Sequence, residues 1–497
     1  MKVLTAEQIR KWDEYTIMNE PISSLDLMER AAVECCGWIF ANKRAESTIK
    51  IFCGKGNNGG DGLAVARLLA EKDIVSDVYI VEFGSLGTDD FQGNLKRLHS
   101  TPVKIHFLQH ADFFPVIDKD DLVIDALFGT GLTRALEGLY ADLVLHINEA
   151  ATTVVSIDIP SGLLSDKATA SGNIVHAKHT LTFQCLKMCF LFPENEQYFG
   201  EVHILDIGLD EAFLPNVPSN YVITDKTLIK TIYKPRKNFS HKGTFGHALI
   251  IAGETGKMGA AILATTACLR AGAGLVSALV PGDQFPIIQT AVPEAMAMAQ
   301  NEVEQIDFGK YTTIGLGPGL GTKESGARLI ERVLSQFNKP IVFDADALNI
   351  LSANQELLSE LPPGSILTPH PKEFERLFGE TANHADRIQT ARYYAQKLFV
   401  YIIIKGHYSV VACPDGEVYF NSTGNPGMST GGSGDVLTGI ITGLLAQNYS
   451  SKEACLLGMY IHGNAADIAV KSVSQEALIA GDITRFLGNS FLSLTIK

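Results

Sequence analysis

Two stretches of the sequence carry residue types whose spacing can do chemistry. GMSTGGSGDVLTGIITGLLA, residues 427–446, sets Gly431, Gly432, Ser433 and Gly434 directly before Asp435 and an apolar helical run. Small residues let several backbone N–H groups converge at a helix start, where they would hold a phosphoryl group in transit. Asp435 beside them is placed to take a proton from an attacking hydroxyl. The second stretch, GKGNNGGDGLAVARLLA at 54–70, runs from a strand end through Gly54, Gly56, Gly59, Gly60 and Gly62 into an amphipathic helix. That is an anion cradle in which glycine backbone approaches a phosphate. It departs from the usual G-x-G-x-x-G register because Asn57, Asn58 and Asp61 put polar side chains inside the loop.

Those polar oxygens, beside Asp125 and Ser161, would suit a hard cation such as potassium. The same residue types also serve simply to cap and turn a chain. Asp125 in VIDALFGTGL and Asp158 in SIDIPSGL both follow apolar strands, and ligands of open α/β sheets bind at that edge. Lys187 in TFQCLKMCF is a further candidate to assist, although a lone lysine after an apolar run is expected at the surface. In the second half, KGHYS at 405–409 puts Lys405 and the Gly406 backbone at a strand end, where a nucleotide phosphate would fit. GLGPGLG at 315–321 and GETGKMGAA at 253–261 add two close-approach turns. LTPHPKEFERL at 367–377 places His370 at a strand end, to contact a substrate or to serve as a buried structural histidine, and Glu373 at a helix start. Glu373 would position magnesium or its water, since that ion takes few carboxylates.

The elements that position these residues alternate. IKIFCG, DVYIVEF, DLVIDALFG and TTVVSIDIPSG are short apolar runs separated by helix-like stretches, which predicts a Rossmann-like parallel sheet. A polar, lysine-enriched passage without sustained periodicity, residues 223–243, separates this series from a second one that opens at HALIIAG. The boundary is expected near 215–230, giving domains 1–220 and 225–497, both α/β. A chain of 497 residues exceeds the ~250–300 at which single cores stop growing. Its formal charge of −14 argues against nucleic acid and anionic membranes as partners and favours a small-molecule enzyme. The eight cysteines lack paired C-x-x-C spacing; buried thiols in a reducing compartment are expected. With no apolar leader and no run near the ~20 residues of a membrane span, a cytoplasmic location is expected. Oligomeric state is unreadable, though symmetric homo-oligomers suit such domains.

GKGNNGGDG, DALFGTGLTRALEG and SIDIPSG, in this order and spacing, resemble the NAD(P)H-hydrate epimerase family over about residues 1–210. The resemblance implies that Asn57, Asn58, Gly59, Gly60 and Asp61, with Gly129, Thr130, Gly131, Leu132, Thr133, Arg134 and Ala135, hold a hydrated dinucleotide. It further implies that Asn58, Asp125 and Ser161 bind potassium and that Asp158 faces the substrate as acid/base. HKGTFGHALIIAG, GAGLVS, GLGPGLG, DADALN, TPHPKE, KGHYS and GGSGD are similar to ribokinase-like, ADP-dependent NAD(P)H-hydrate dehydratases over about residues 225–490. That resemblance implies that Lys405, Gly406, His407, Tyr408, Ser409 and Gly434 bind the AMP part of ADP. Ala260, Gly319, His370 and Asp435 would then contact the hydrated NADH or NADPH. Two departures stand out: Ser433 replaces the usual threonine, and Glu254 and Lys257 occupy a turn where small or aromatic residues are usual. The competing expectation is a vitamin-precursor kinase joined to a non-catalytic nucleotide-binding module.

Overall fold

The computed structural model describes residues 1–42, 47–84, 86–150, 152–169 and 172–495. The chain forms two compact units, one of residues 2–219 with 383–385, the other of Met1, 220–382 and 386–497.

In the N-terminal unit, the apolar runs become β1 (Ile49–Cys53), β2 (Ser76–Val81), β3 (Lys104–Leu108), β4 (Leu122–Ala126), β5 (Thr153–Ile157), β6 (His179–Phe183) and β7 (Glu201–Leu205). They form one sheet in the order 3-2-1-4-5-6-7, and every pairing is parallel. Helices 24–42, 57–70 and 89–98 bury one face through Cys35, Ile39, Leu63, Val65 and Phe91. Helix 139–149 buries the other through Leu143, Val144 and Ile147. The order reverses between β1 and β4, so the loops leaving those two strands flank the crevice where doubly wound sheets bind ligands. These are the loops that carry GKGNNGGDG and DALFGTG.

One expectation changes here. The stretch from Asn57 to Asp61 is the first part of the helix Asn57–Ala70, not a loop ahead of it. The glycines serve close packing: a Cβ on Gly59 would lie 1.7 Å from the Gly54 carbonyl oxygen, and one on Gly62 would meet Ala126 and Cys53. Only side-chain-free residues let the helix start press onto the strands, and the free N–H groups of its first turn then face the crevice.

The C-terminal unit contributes β8 (Tyr221–Thr224), β9 (His247–Ile251), β10 (Leu275–Val280), β11 (Met296–Ala299), β12 (Thr313–Leu316), β13 (Ile341–Phe343), β14 (Ile366–Leu367), β15 (Tyr401–Ile404), β16 (Val410–Ala412) and β17 (Val418–Asn421). Their order is 11-10-9-12-13-14-15-16-17-8, with β16 antiparallel to both neighbours. Strand β8 and helix 226–232 lie in the passage that showed no periodicity. Four and seven residues are too short to display one. The strand pairs with β17, so this unit begins before residue 225. Helix 433–446 packs on helix 258–270 at glycine contact, since a Cβ on Gly439 would sit 2.1 Å from the Ala264 carbonyl oxygen. That contact holds the Asp435 end of one helix beside the turn that begins the other.

Candidate active sites

At the N-terminal crevice Asp158 follows β5 with φ of 67°, a left-handed backbone that a β-strand exit rarely takes. Its carboxylate is buried. One oxygen accepts from the Thr130 N–H at 3.0 Å, and the other lies 2.9 Å from the Lys187 ammonium. Lys187 is fully buried, against the surface position expected for it. Its ammonium also donates to the Phe183 carbonyl at 2.7 Å, so the strand end that precedes it folds back to hold it. Burial alone would pull the Lys187 pKa down; the charge and hydrogen bond of Asp158, together with Cys185 and Cys189, outweigh it and hold it above the ordinary value. The loop after β4 closes over the same point, where a Cβ on Gly129 would lie 2.7 Å from Asp158 and 3.2 Å from the Asn58 amide oxygen. Asn58 is buried, and its amide nitrogen has no hydrogen-bond partner. Such an atom fits a ligand better than a cap.

Asp125 is the hub beneath. Its carboxylate accepts from Ser156 at 2.7 Å, from the Ser161 hydroxyl at 2.6 Å and from the Ser161 N–H at 2.9 Å. Burial raises its pKa, and these bonds oppose the rise. The Ser161 hydroxyl oxygen is also 3.2 Å from the Phe128 carbonyl. Asn58, Asp125, Ser161 and the Phe128 carbonyl each carry an oxygen atom, the donor type a potassium ion accepts. Two acids complete the pocket. Asp61 is driven well above the ordinary carboxylate range by burial, then by the charges of Asp158 and Asp13. Asp13, on helix 6–19, is pushed up to about 7 by burial and by Asp158, with Lys187 opposing. Sequence reasoning missed Asp13. The signal was an aspartate next to Trp12 on the face that buries Ile9 and Thr16. Thr133, Arg134 and Ala135 lie on the exposed part of the β4 loop, away from the buried carboxylates.

At the second sheet, Asp344 after β13 and Lys405 after β15 meet the start of helix 433–446. Gly432 precedes that helix with φ of 91°, a conformation that favours glycine. Asp435 stands in its first turn, half-buried and, among the described residues, with no side-chain hydrogen bond or ion pair. Burial, then the charge of Asp344, pushes its pKa up to about 6, with Lys405 opposing. Lys405 makes a 2.6 Å ion pair with Asp344, and the Thr438 hydroxyl donates to the same carboxylate at 2.7 Å. Burial would raise Asp344, but Lys405 and these bonds hold it below the ordinary range. A Cβ on Gly434 would be 3.2 Å from the Lys405 ammonium, so Gly434 and Lys405 share one spot. Gly406 donates its N–H to the Ser409 hydroxyl at 3.1 Å, shaping the turn that leaves His407 exposed. Asp344, quoted within DADALN but given no role, is legible as an acid ending an apolar strand.

Ala260 and Gly319 meet, the Cβ a residue at 319 would carry lying 3.1 Å from Ala260. The charged pair in that turn is tied down: Glu254 binds Lys257 at 2.7 Å and Lys323 at 3.4 Å, and Lys257 lies 3.7 Å from Asp346. His370 is exposed rather than buried. It caps helix 371–378, its Nδ1 accepting from Lys372 and Glu373. Glu373 returns one carboxylate oxygen to the His370 N–H at 2.8 Å, so it is committed to the cap and reaches an ion best through water.

Known proteins match both units of the chain. A family model described as NAD(P)H-hydrate dehydratase matches residues 248–487, and one described as YjeF-related protein N-terminus matches residues 24–189. The chain is 36% identical over 510 residues to the bifunctional NAD(P)H-hydrate repair enzyme Nnr of Moorella thermoacetica, covering 98% of this chain and 96% of that one. It is 34% identical to the bifunctional enzyme of the same name from Escherichia coli, over 87% and 83% of the two chains. Among solved structures, the ADP/ATP-dependent NAD(P)H-hydrate dehydratase from Bacillus subtilis, co-crystallised with ATP and Mg2+, is 30% identical with a TM-score of 0.50, covering 55% of this chain and 98% of that one. A ribokinase-like superfamily protein from Enterococcus faecalis gives 28% and 0.51, over 56% and 98%. Identity of this order, sustained along nearly the whole length of relatives built from both units, shows that the chain belongs to the bifunctional NAD(P)H-hydrate repair enzymes.

Proposed function

We propose that the N-terminal unit interconverts the R and S forms of hydrated NADH and NADPH, and that the C-terminal unit dehydrates the S form while converting ADP to AMP and phosphate. The observation that carries the reading is Asp435: an unpartnered carboxylate in the first turn of a glycine-led helix, beside a lysine-bearing loop. Hydroxide is a poor leaving group. Asp435 takes the proton of the hydrate's hydroxyl, and that oxygen attacks the terminal phosphorus of ADP, releasing AMP. The phosphate ester then breaks at its carbon–oxygen bond, phosphate leaves with the bonding pair, and loss of a proton from the neighbouring carbon restores the ring. The N–H groups of residues 431–434 and the Lys405 ammonium hold the phosphoryl oxygens. Lys405 to Ser409 and Gly434 bind the AMP part; Ala260, Gly319 and His370 line the dinucleotide. Magnesium, when bound, would neutralise phosphate charge, with Glu373 holding one of its waters.

In the first unit Asp158 exchanges a proton with the substrate near the carbon bearing the hydroxyl, and Lys187 holds that carboxylate in place. The N–H groups of Asn57, Asn58 and Gly59 at the helix start bind the dinucleotide phosphates, with Gly60, Asp61 and the β4 loop lining the same ligand. Potassium, when bound by Asn58, Asp125 and Ser161, would supply a fixed positive charge there. A dehydratase specific for one epimer leaves the other untouched, and an epimerase in the same chain removes that limit. The deciding experiment mixes enzyme, ADP and hydrated NADH. AMP and phosphate should appear in step with NADH, and only when the hydrate is present; ADP turnover without hydrate, or a stable phosphorylated alcohol as product, would identify a kinase instead.

A further inference from the structure

At the N-terminal ends of β6 and β7, on the edge of the first sheet, three metal-ligating side chains come together. The parallel register sets His179 directly opposite Glu201, and His203, two residues on, shares the Glu201 face of the pleat. Their ligand atoms form a triangle. His179 Nδ1 is 3.2 Å from His203 Nε2, and Glu201 Oε2 is 3.6 Å from the first and 3.9 Å from the second. A point equidistant from the three atoms lies about 2.1 Å from each, the ordinary zinc–nitrogen and zinc–oxygen bond length. Two imidazole nitrogens aimed at each other can share one proton or one metal ion. A carboxylate completing the triangle favours the ion.

The surroundings support a built site. Trp38, from helix 24–42, packs on both rings with centroids 5.0 and 5.1 Å away, which fixes their orientation without consuming a ring nitrogen. The two imidazoles are mostly buried, whereas the Glu201 side chain is 70% exposed, so the remaining coordination position opens to water. Among the described residues this is the one group of three such side chains whose ligand atoms all converge.

We infer that His179, Glu201 and His203 form a binding site for a borderline transition-metal ion of the zinc class, with water as fourth ligand. Its place suggests what it does. Strand β7 is the edge of the sheet and β6 its only neighbour there, so an ion shared by the two strands pins the edge. The site lies at the opposite end of β6 from Lys187 and takes no part in epimerisation.

The test uses the full chain, stripped with a chelator and titrated with Co2+ and then Zn2+. The expected result is a tetrahedral Co2+ absorption band that saturates at one equivalent and is displaced by Zn2+. In His203→Gln and Glu201→Gln variants, Zn2+ affinity should fall at least about tenfold, the loss that follows even from removing an outer partner of a metal ligand. Epimerase activity of the stripped protein should be unchanged in both. Oxygen-only sites elsewhere in the chain survive these substitutions and so cannot mimic the loss. No saturable band, or unaltered Zn2+ affinity in the variants, overturns the inference. Should His203→Gln fail to fold by circular dichroism, the exposed Glu201→Gln variant carries the test alone.

Discussion

Asp158, at the exit of β5, is locked to a buried ammonium, whereas Asp435, in the first turn of a glycine-led helix, is left unpaired among the described residues. An unpaired, partly buried acid is a proton acceptor whose competence depends on pH. Asp435 sits near 6, so it is ionised above that value and protonated below it. The kcat/KM for dehydration should therefore decline as pH drops through about 6, since that ratio reports the free enzyme. Asp435→Asn should remove ~10²–10⁴-fold of the rate above about pH 6, where the wild-type carboxylate is ionised, while epimerisation continues. Retention of a tenth of wild-type turnover would take Asp435 out of the role of base. Asp13 makes a parallel case. It ionises near 7 beside Asp158 and Lys187, so the epimerase pH profile should contain a step there that Asp13→Asn abolishes. Persistence of the step in the variant would place its origin elsewhere. Asp435 and Asp158 were legible in the sequence because each follows a strand or glycine run with a turn behind it. Lys187 and Asp13 were not, since nothing local distinguishes a buried lysine from a surface one until its partner is known.

Glycine loops announce themselves in a sequence, but whether they are loops or helix starts depends on what packs behind them. Residues 57–61 are helical because Gly54, Gly59 and Gly62 allow a strand and a helix to touch at backbone distance. No periodicity reveals that contact, as the partner lies across the sheet. Gly59→Ala should accordingly disrupt the unit, since its Cβ would lie 1.7 Å from the Gly54 carbonyl oxygen and no side chain can move aside. We expect a destabilisation of at least about 1–3 kcal/mol, the range for overpacking a close-packed interior. Gly56→Ala at the same loop, with nothing within 4 Å, should cost far less. Comparable melting temperatures for the two variants would mean that the helix start is held by something other than this contact. Strand β8 illustrates the opposite limit. Four residues in a polar passage give no signal of their own, and only pairing with β17 makes them a strand. A fragment beginning at residue 220 should therefore melt higher than one beginning at 225, with scanning calorimetry as the measure; equal melting would show that β8 adds nothing.

Across the whole molecule, the alternation of apolar runs and helices was enough to foresee two α/β units, because parallel sheets need crossovers and crossovers need length. The sheet orders were not foreseeable from pattern alone, yet they matter most for function. In each sheet the order reverses between two strands that are each followed by a glycine-bearing loop, β1 and β4 in one, β9 and β12 in the other. Two crevices result, each with its own carboxylate, and the chain joins one reaction that creates the reactive epimer to another that consumes it. The direct measurement is chromatography of both epimers of hydrated NADH over time with ADP present. Wild-type protein should clear both. Asp158→Ala should clear only the S form, leaving R to its slow spontaneous interconversion, with melting temperature and dinucleotide binding retained. Clearance of both epimers at the wild-type rate by Asp158→Ala would contradict the assignment of epimerisation to this site.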